Sequence, residues 1–247
     1  MREQLERDTG LLLRQQEDGL EIALGPRRDA LMDFKPFRID FSSDSAVQRQ
    51  QSASRELVVR ALGRQRLDRV IDLTAGLGRD ALMMAAADKA AQVFMIERNA
   101  VMHLLLSDAL ARLARSNPAL AARLSLHCLD SSAPDFPLAL MSALPPPPPA
   151  APLSTAVYLD PMYPQGAVGR KSLVKKETQV LHLVVDGDCA PAQEAANNAA
   201  LFRSAVQLAT TRIVVKRPLK AAPLWPSPHE CLEGSTQRFD IYLVNRL

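Results

Sequence analysis

The chain has 247 residues, 47% of them hydrophobic, a formal net charge of +3 and three cysteines. This composition predicts a globular domain with a substantial core, and the small charge excludes a uniformly basic nucleic-acid coat. No apolar run approaches the roughly 20 residues that cross a bilayer, and the N-terminus lacks a signal sequence, which predicts a cytoplasmic protein. Cysteines and the four histidines are dispersed without ligand spacing, so we expect neither a disulfide framework nor a metal site.

Residues 1–63 predict a small N-terminal subdomain. Two short apolar strands over 11–13 and 20–24 flank a polar, glycine-containing turn, which is typical of a hairpin. A helix over 45–62 follows and ends at a glycine. We expect this subdomain to cover the site or to contact the substrate.

Residues 64–247 predict the main domain, in which apolar strands alternate with helices. The predicted strands cover 70–73, 92–96, 124–128, 156–159 and 212–215, the helices cover 80–87, 100–114 and 192–209, and residues 239–244 form an antiparallel edge strand. This alternation indicates an α/β fold with a mostly parallel twisted sheet and helices on both faces. In such a sheet, ligands bind at the carboxyl ends of the strands.

A glycine loop follows the first of these strands and begins a helix. Gly76, Gly78 and Ala81 fit the dinucleotide pattern G-x-G-x-x-A, in which the helix N-terminus binds a pyrophosphate. Asp72 and Asp80 beside the loop would repel a pyrophosphate and attract a cation. They therefore favour S-adenosylmethionine, which carries a sulfonium and an ammonium group, over NAD. The alternative is a glycine turn that only joins strand to helix.

Further acids follow the next strands, where a nucleoside ligand would lie. Glu97 is placed to accept both ribose hydroxyls, in NAD or in S-adenosylmethionine, and otherwise serves as an N-terminal charge for the following helix. Arg98 would flank the adenine or pair with a carboxylate. Asp130, Ser131 or Ser132 would accept from the adenine amino group, unless these residues only cap a helix.

The segment Asp160, Pro161, Met162 and Tyr163 follows another apolar strand. A carboxylate and a backbone carbonyl that accept hydrogen bonds from an exocyclic base amine would direct the lone pair of its nitrogen toward a methyl donor. An aromatic ring in this position would stack on an extruded base. We therefore interpret Asp160, Pro161 and Tyr163 as catalytic residues, with an ordinary proline turn as the alternative.

Basic residues are concentrated late in the chain. The segment from Gly166 to Lys220 contains nine lysines and arginines but only four acids. A basic region of this kind either contacts phosphates or forms a solvated surface. The candidate RNA-binding residues are Lys171, Lys175, Lys176, Lys216 and Arg217.

Several segments together resemble the ribosomal RNA small subunit methyltransferase J family. They are DLTAGLGRDA from Asp72, IERN from Ile96, VYLDPMYP from Val157, SLVKKE from Ser172, VVKRP from Val214 and RFDIY from Arg238. The resemblance implies a Rossmann-like class I methyltransferase fold. It also implies transfer from S-adenosylmethionine to N2 of a guanosine near the 3′ end of 16S rRNA, as free rRNA or in the small ribosomal subunit. By the same resemblance, the cofactor would contact Arg79, Asp80, Glu97, Arg98, Asp160 and residues 130–132.

Two other functions remain open on the sequence alone. One is an NAD-dependent oxidoreductase, against which the acidic loop and the Asp160 segment count. The other is a non-catalytic ribosome-binding protein that has kept the fold.

Overall fold

The computed structural model of the chain describes residues 10–25, 36–145, 153–161 and 191–247. A two-stranded hairpin precedes a seven-stranded sheet. The hairpin consists of β1 (Leu11–Gln16) and β2 (Gly19–Leu24). The sheet strands are β3 (Leu67–Asp72), β4 (Ala90–Ile96), β5 (Leu124–His127), β6 (Thr155–Leu159), β7 (Arg212–Pro218), β8 (Glu230–Glu233) and β9 (Gln237–Leu243).

The strand order is β5-β4-β3-β6-β7-β9-β8. Strands β3 to β7 pair in parallel, whereas β9 pairs antiparallel with β7 and β8. After β3 the chain continues to one side, through β4 and β5, and it returns to the other side of β3 at β6. The order thus reverses between β3 and β6, which is where doubly wound sheets bind ligands. The predicted α/β fold is confirmed, and its antiparallel edge has two strands because β8 pairs outside β9.

In the described part of the chain, the α-helices are α1 (Asp44–Gln51), α2 (Leu57–Ala61), α3 (Arg79–Ala86), α4 (Ala100–Ser116), α5 (Pro118–Ala121), α6 (Phe136–Ala143) and α7 (Pro191–Leu208). The single helix predicted over 45–62 is wrong, because the chain leaves helical geometry at Ser52 and is extended at Glu56. Ala53 between them is buried in a short 3-10 turn. Helix α6 was not predicted, because its sequence, FPLALMSA, is apolar at nearly every position and lacks the alternation of apolar and polar residues with a helical period.

Two cores cover the two faces of the sheet. The first core packs α3 and α4 on one face and also takes up Leu11, Ile22 and Phe41 from the N-terminal section. The second core packs α6 and α7 on the other face. These side chains from the section before residue 63 thus share a core with the sheet, and a domain boundary at that residue stays a prediction.

We expect Ile22→Ala to destabilise the whole protein, because Ile22 is completely buried in the first core. A truncation of this kind costs about 2–5 kcal/mol. Trp225, the only tryptophan, stacks on Phe202 of the second core with ring centroids 4.8 Å apart. Its fluorescence therefore reports on the opposite face of the sheet. Denaturation followed by this fluorescence and by circular dichroism should give coincident midpoints, both lowered.

Leu138→Ala is the control, because Leu138 is 74% exposed on α6. Its effect should stay within about 0.5 kcal/mol. A tryptophan transition that Ile22→Ala leaves in place would show that the N-terminal section unfolds separately from the sheet.

Candidate cofactor and active site

The loop between β3 and α3 depends on its two glycines. Gly76 and Gly78 have φ values of 52° and 68°, in the left-handed region that glycine tolerates best. A Cβ atom on Gly78 would lie 2.8 Å from the Leu106 side chain and 2.9 Å from the Phe41 ring. Close packing as well as backbone conformation therefore requires glycine at position 78.

Glu97 holds this loop from the end of β4. Its Oε2 accepts from the backbone N–H of Gly76 at 3.0 Å, and its Oε1 accepts from that of Asn99 at 2.8 Å. The side chain is buried, and burial raises the pKa of Glu97. The backbone N–H of Arg98 also interacts with this carboxylate. A carboxylate has about four lone-pair sites, so acceptor capacity remains for a ligand hydroxyl.

Asp72 ends β3 and is 1% exposed. Its Oδ1 accepts from the backbone N–H of Thr74 at 3.0 Å. Burial raises the pKa of Asp72 well above its ordinary value, and the charges of Asp80 and Asp160 act in the same direction. A cationic group placed beside Asp72 would favour its ionised form and oppose the effect of burial.

Lys216, in the second half of β7, contacts two further carboxylates. Its Nζ donates to Oδ2 of Asp80 and to Oδ2 of Asp160, both at 2.8 Å. The same Asp80 oxygen accepts from the Tyr158 hydroxyl at 2.6 Å. The four side chains therefore form one network across α3, β6 and β7.

The protonation states in this network follow from burial and from the ion pairs. Burial alone would raise the pKa of Asp80, but Lys216 and Tyr158 outweigh it and hold that pKa below its ordinary value. Burial alone would lower the pKa of Lys216, but the two carboxylates raise it. For Asp160, burial and the charge of Asp80 outweigh the opposing effect of Lys216, so the pKa lies above its ordinary value.

Backbone contacts fix the two strand ends on either side of the reversal in strand order. The backbone N–H of Asp160 donates to Oγ1 of Thr74 at 2.6 Å. The hydroxyl of Ser131, which is buried, donates to the carbonyl of Leu73 at 2.7 Å. The end of β6 and the loop after β5 are therefore both tied to the end of β3.

The three residues considered for the adenine have different environments. Asp130 is exposed, and its Oδ1 accepts from the backbone N–H and the hydroxyl of Ser132 at 2.9 and 2.6 Å. Ser131 is engaged with Leu73. This difference favours Asp130, oriented by Ser132, as the acceptor for an adenine amino group.

The other candidate residues are distributed as follows. Arg79 and Arg98 are exposed beside the loop and beside Glu97, and Pro161 is buried. Arg217 is buried, and its guanidinium donates to the carbonyl of Ala222. Met162, Tyr163, Lys171, Lys175 and Lys176 lie outside the described residues.

Sequence reasoning missed Thr74 and Tyr158. The alternation of side chains along a strand gives a signal for Tyr158, because it lies two residues before Asp160 and therefore faces the same side of the sheet. For Thr74 we find no comparable signal, since its contact depends on which strand lies next to β3.

Two general properties of the described residues bear on chemistry. Among them, no group of three or more histidine, cysteine, aspartate or glutamate side chains is arranged to hold a metal ion. In the same part of the chain, no helix is long and apolar enough to cross a membrane.

Comparison with known proteins gives consistent matches. Residues 2–244 match the family model described as "Putative SAM-dependent methyltransferase". The ribosomal RNA small subunit methyltransferase J of Alkalilimnicola ehrlichii is 40% identical over 212 residues, which cover 84% of this chain and 74% of that protein. The enzyme of the same name from Marinobacter nauticus is 36% identical over 98% of this chain and 80% of its own.

A solved structure agrees with these matches. The crystal structure of a SAM-dependent methyltransferase from Neisseria gonorrhoeae has a TM-score of 0.67 and 28% identity, over 96% of this chain and 84% of that one. Together with the acidic site at the reversal in strand order, these matches show that the chain belongs to the ribosomal RNA small subunit methyltransferase J family of SAM-dependent methyltransferases.

Proposed function

We propose that the protein transfers the methyl group of S-adenosylmethionine to N2 of a guanosine near the 3′ end of 16S rRNA. The observation that carries this proposal is the position of Asp160. Its backbone is fixed to Thr74 where the strand order reverses, and its carboxylate lies in the acidic network beside the glycine loop. The substrate is free 16S rRNA or the small ribosomal subunit, and we expect the reaction to take place in the cytoplasm.

The residues present fit S-adenosylmethionine better than a dinucleotide. Glu97 keeps acceptor capacity for a ribose hydroxyl, and buried Asp72 suits the ammonium group. Asp130, oriented by Ser132, would accept from the adenine amino group. A pyrophosphate beside these carboxylates would be repelled, which counts against an NAD-dependent oxidoreductase.

When bound, the cofactor supplies a methyl group on a positively charged sulfur, which needs little further activation. The protein therefore contributes mainly proximity and orientation. We assign to Asp160 a hydrogen bond from the guanine N2 amine, which turns the lone pair of that nitrogen toward the methyl group. We assign to Pro161 the backbone carbonyl that accepts the second amine hydrogen, and to Tyr163 stacking on the extruded base.

The first experiment is transfer of labelled methyl from S-adenosylmethionine to small-subunit RNA from cells that lack this protein. We expect the label in N2-methylguanosine when the RNA is digested to nucleosides. Free 16S rRNA and assembled small subunits are assayed side by side to identify the substrate form. Cofactor binding without label in either substrate would contradict the proposal and support a non-catalytic ribosome-binding protein.

Asp160→Asn should lower kcat by about 10²–10³-fold, the usual effect of removing one positioned transition-state contact. The affinity for S-adenosylmethionine should change only a few-fold, because Glu97 and Asp72 remain. Turnover assays and isothermal titration calorimetry measure the two quantities. Asp135→Asn, a change at an exposed aspartate at the start of α6, is the matched control and should leave both unchanged. Full turnover in Asp160→Asn would remove Asp160 from the mechanism.

Asp72→Asn should raise the free energy of unfolding and weaken the binding of S-adenosylmethionine. Burial raises the pKa of Asp72, so above that pKa the folded protein carries the charge at a cost. The cost is about 1.4 kcal/mol for each unit by which the folded pKa exceeds the unfolded value. The variant should be more stable than wild type at these pH values, and the difference should shrink as the pH falls and Asp72 becomes protonated.

The same variant should bind S-adenosylmethionine about 10- to 100-fold more weakly, because a charged hydrogen bond contributes about 1.5–3 kcal/mol. Urea denaturation across pH and calorimetric titration test the two expectations separately. Unchanged affinity would contradict the role of Asp72 in binding, and lower stability at every pH would contradict the charge argument.

A further inference from the structure

The sequence makes Lys216 a candidate RNA-binding residue, but its ammonium group lies among the carboxylates of the candidate active site. Both carboxylate oxygens that it contacts are 2.8 Å away, and the Lys216 side chain is 20% exposed. Its two partners come from different elements, since Asp80 is in the first turn of α3 and Asp160 follows β6. Two of the three ammonium hydrogens are therefore committed to carboxylates.

This arrangement disfavours a phosphate contact by Lys216. To reach RNA, the ammonium would have to leave the Asp80 and Asp160 carboxylates, which are 20% and 36% exposed, without their counter-ion. Removing one partner of such a pair costs free energy, and the cost grows with burial. Lys220, four residues later, is exposed. Lys220 is therefore a suitable comparison for Lys216, because it is a nearby lysine on the surface of the protein.

We infer that Lys216 is a positioning residue for the transfer reaction: it holds the Asp160 carboxylate in place through Oδ2 and favours its ionised form, so that Oδ1 accepts from the substrate amine. This inference rests on the proposed function. Asp80 serves as the anchor, because one of its oxygens binds both Lys216 and the Tyr158 hydroxyl.

The surroundings of Asp160 explain why a cation is needed there. Facing it are Asp80 from α3, Asp72 from β3, the Tyr158 hydroxyl from β6 and Lys216 from β7. Arg49 of α1 acts on the network through Asp80. Among the described residues, Lys216 is the cation in direct contact with Asp160, and burial and Asp80 both raise the pKa of that acid. Without the Lys216 charge, burial and Asp80 should raise the pKa of Asp160 further.

Lys216→Gln tests the inference, with Lys220→Gln as the matched control. In Lys216→Gln the acidic limb of the kcat–pH profile should move to higher pH by about one to three pH units, the usual effect of an adjacent opposite charge on a carboxylate. The KM for RNA should stay within a few-fold of wild type. Lys220→Gln should leave the acidic limb and kcat unchanged.

A different result would overturn the inference. If Lys216→Gln leaves the acidic limb in place, raises the KM for RNA and lowers the salt dependence of binding by about one phosphate contact, Lys216 is an RNA ligand. If neither quantity changes, Lys216 has no role in the reaction. Should Lys216→Gln fail to fold, Lys216→Arg replaces it. In Lys216→Arg the acidic limb should stay in place while kcat falls, and unchanged kcat contradicts the inference.

A second measurement separates this inference from the proposed function. Carbon NMR titration of the aspartate carboxyl groups, with Asp160→Asn to assign the signal, gives the pKa of Asp160 directly. It should be higher in Lys216→Gln than in wild type. If wild type transfers no methyl group to RNA, the proposed function fails, whereas an unchanged Asp160 titration in Lys216→Gln overturns the role of Lys216.

Discussion

The ion pairs of Lys216 with Asp80 and Asp160 are the interaction on which the site depends. An α/β sheet that binds a cationic nucleoside needs carboxylates at one edge, but buried carboxylates repel one another and lose their hydration. One ammonium group at 2.8 Å from two of them reduces both costs. Asp72 and Glu97 then remain with backbone N–H partners, available to a ligand.

The topology of the sheet brings these groups together. Strands β3 and β6 are neighbours although more than eighty residues separate them, and a hydrogen bond from the Asp160 backbone to Thr74 spans the join. The Ser131 and Glu97 side chains attach the neighbouring loops to the same strand end. The close-packed apolar cores on both faces fix the positions of the strands. The polar side chains at the strand ends are therefore held in fixed positions as well.

The sequence was sufficient for the parallel strands and for the acids that follow them, because apolar runs that end in a carboxylate are local features. It was insufficient for contacts that depend on strand neighbours. The register pairs Leu159 with Val215, so the next residues on the two strands are Asp160 and Lys216. The end of β6 was predicted correctly, and β7 continues three residues beyond its predicted end at 215. The contact between Lys216 and Asp160 could not be predicted, because it depends on the pairing of β6 with β7. Strand β8, with only four residues, gave too short a pattern.

The charge of the site also bears on how RNA approaches it. Among the described residues, the formal charges of Asp72, Asp80 and Asp160 outnumber that of Lys216 at this edge of the sheet, an excess that disfavours a phosphate backbone more than a neutral base. Base extrusion satisfies this constraint, because the nucleobase enters while its phosphates stay outside. The exposed Arg79 and Arg98 lie beside this acidic edge, where phosphates would remain. The acids that suit the cofactor therefore also favour a reaction on the base over one on the backbone.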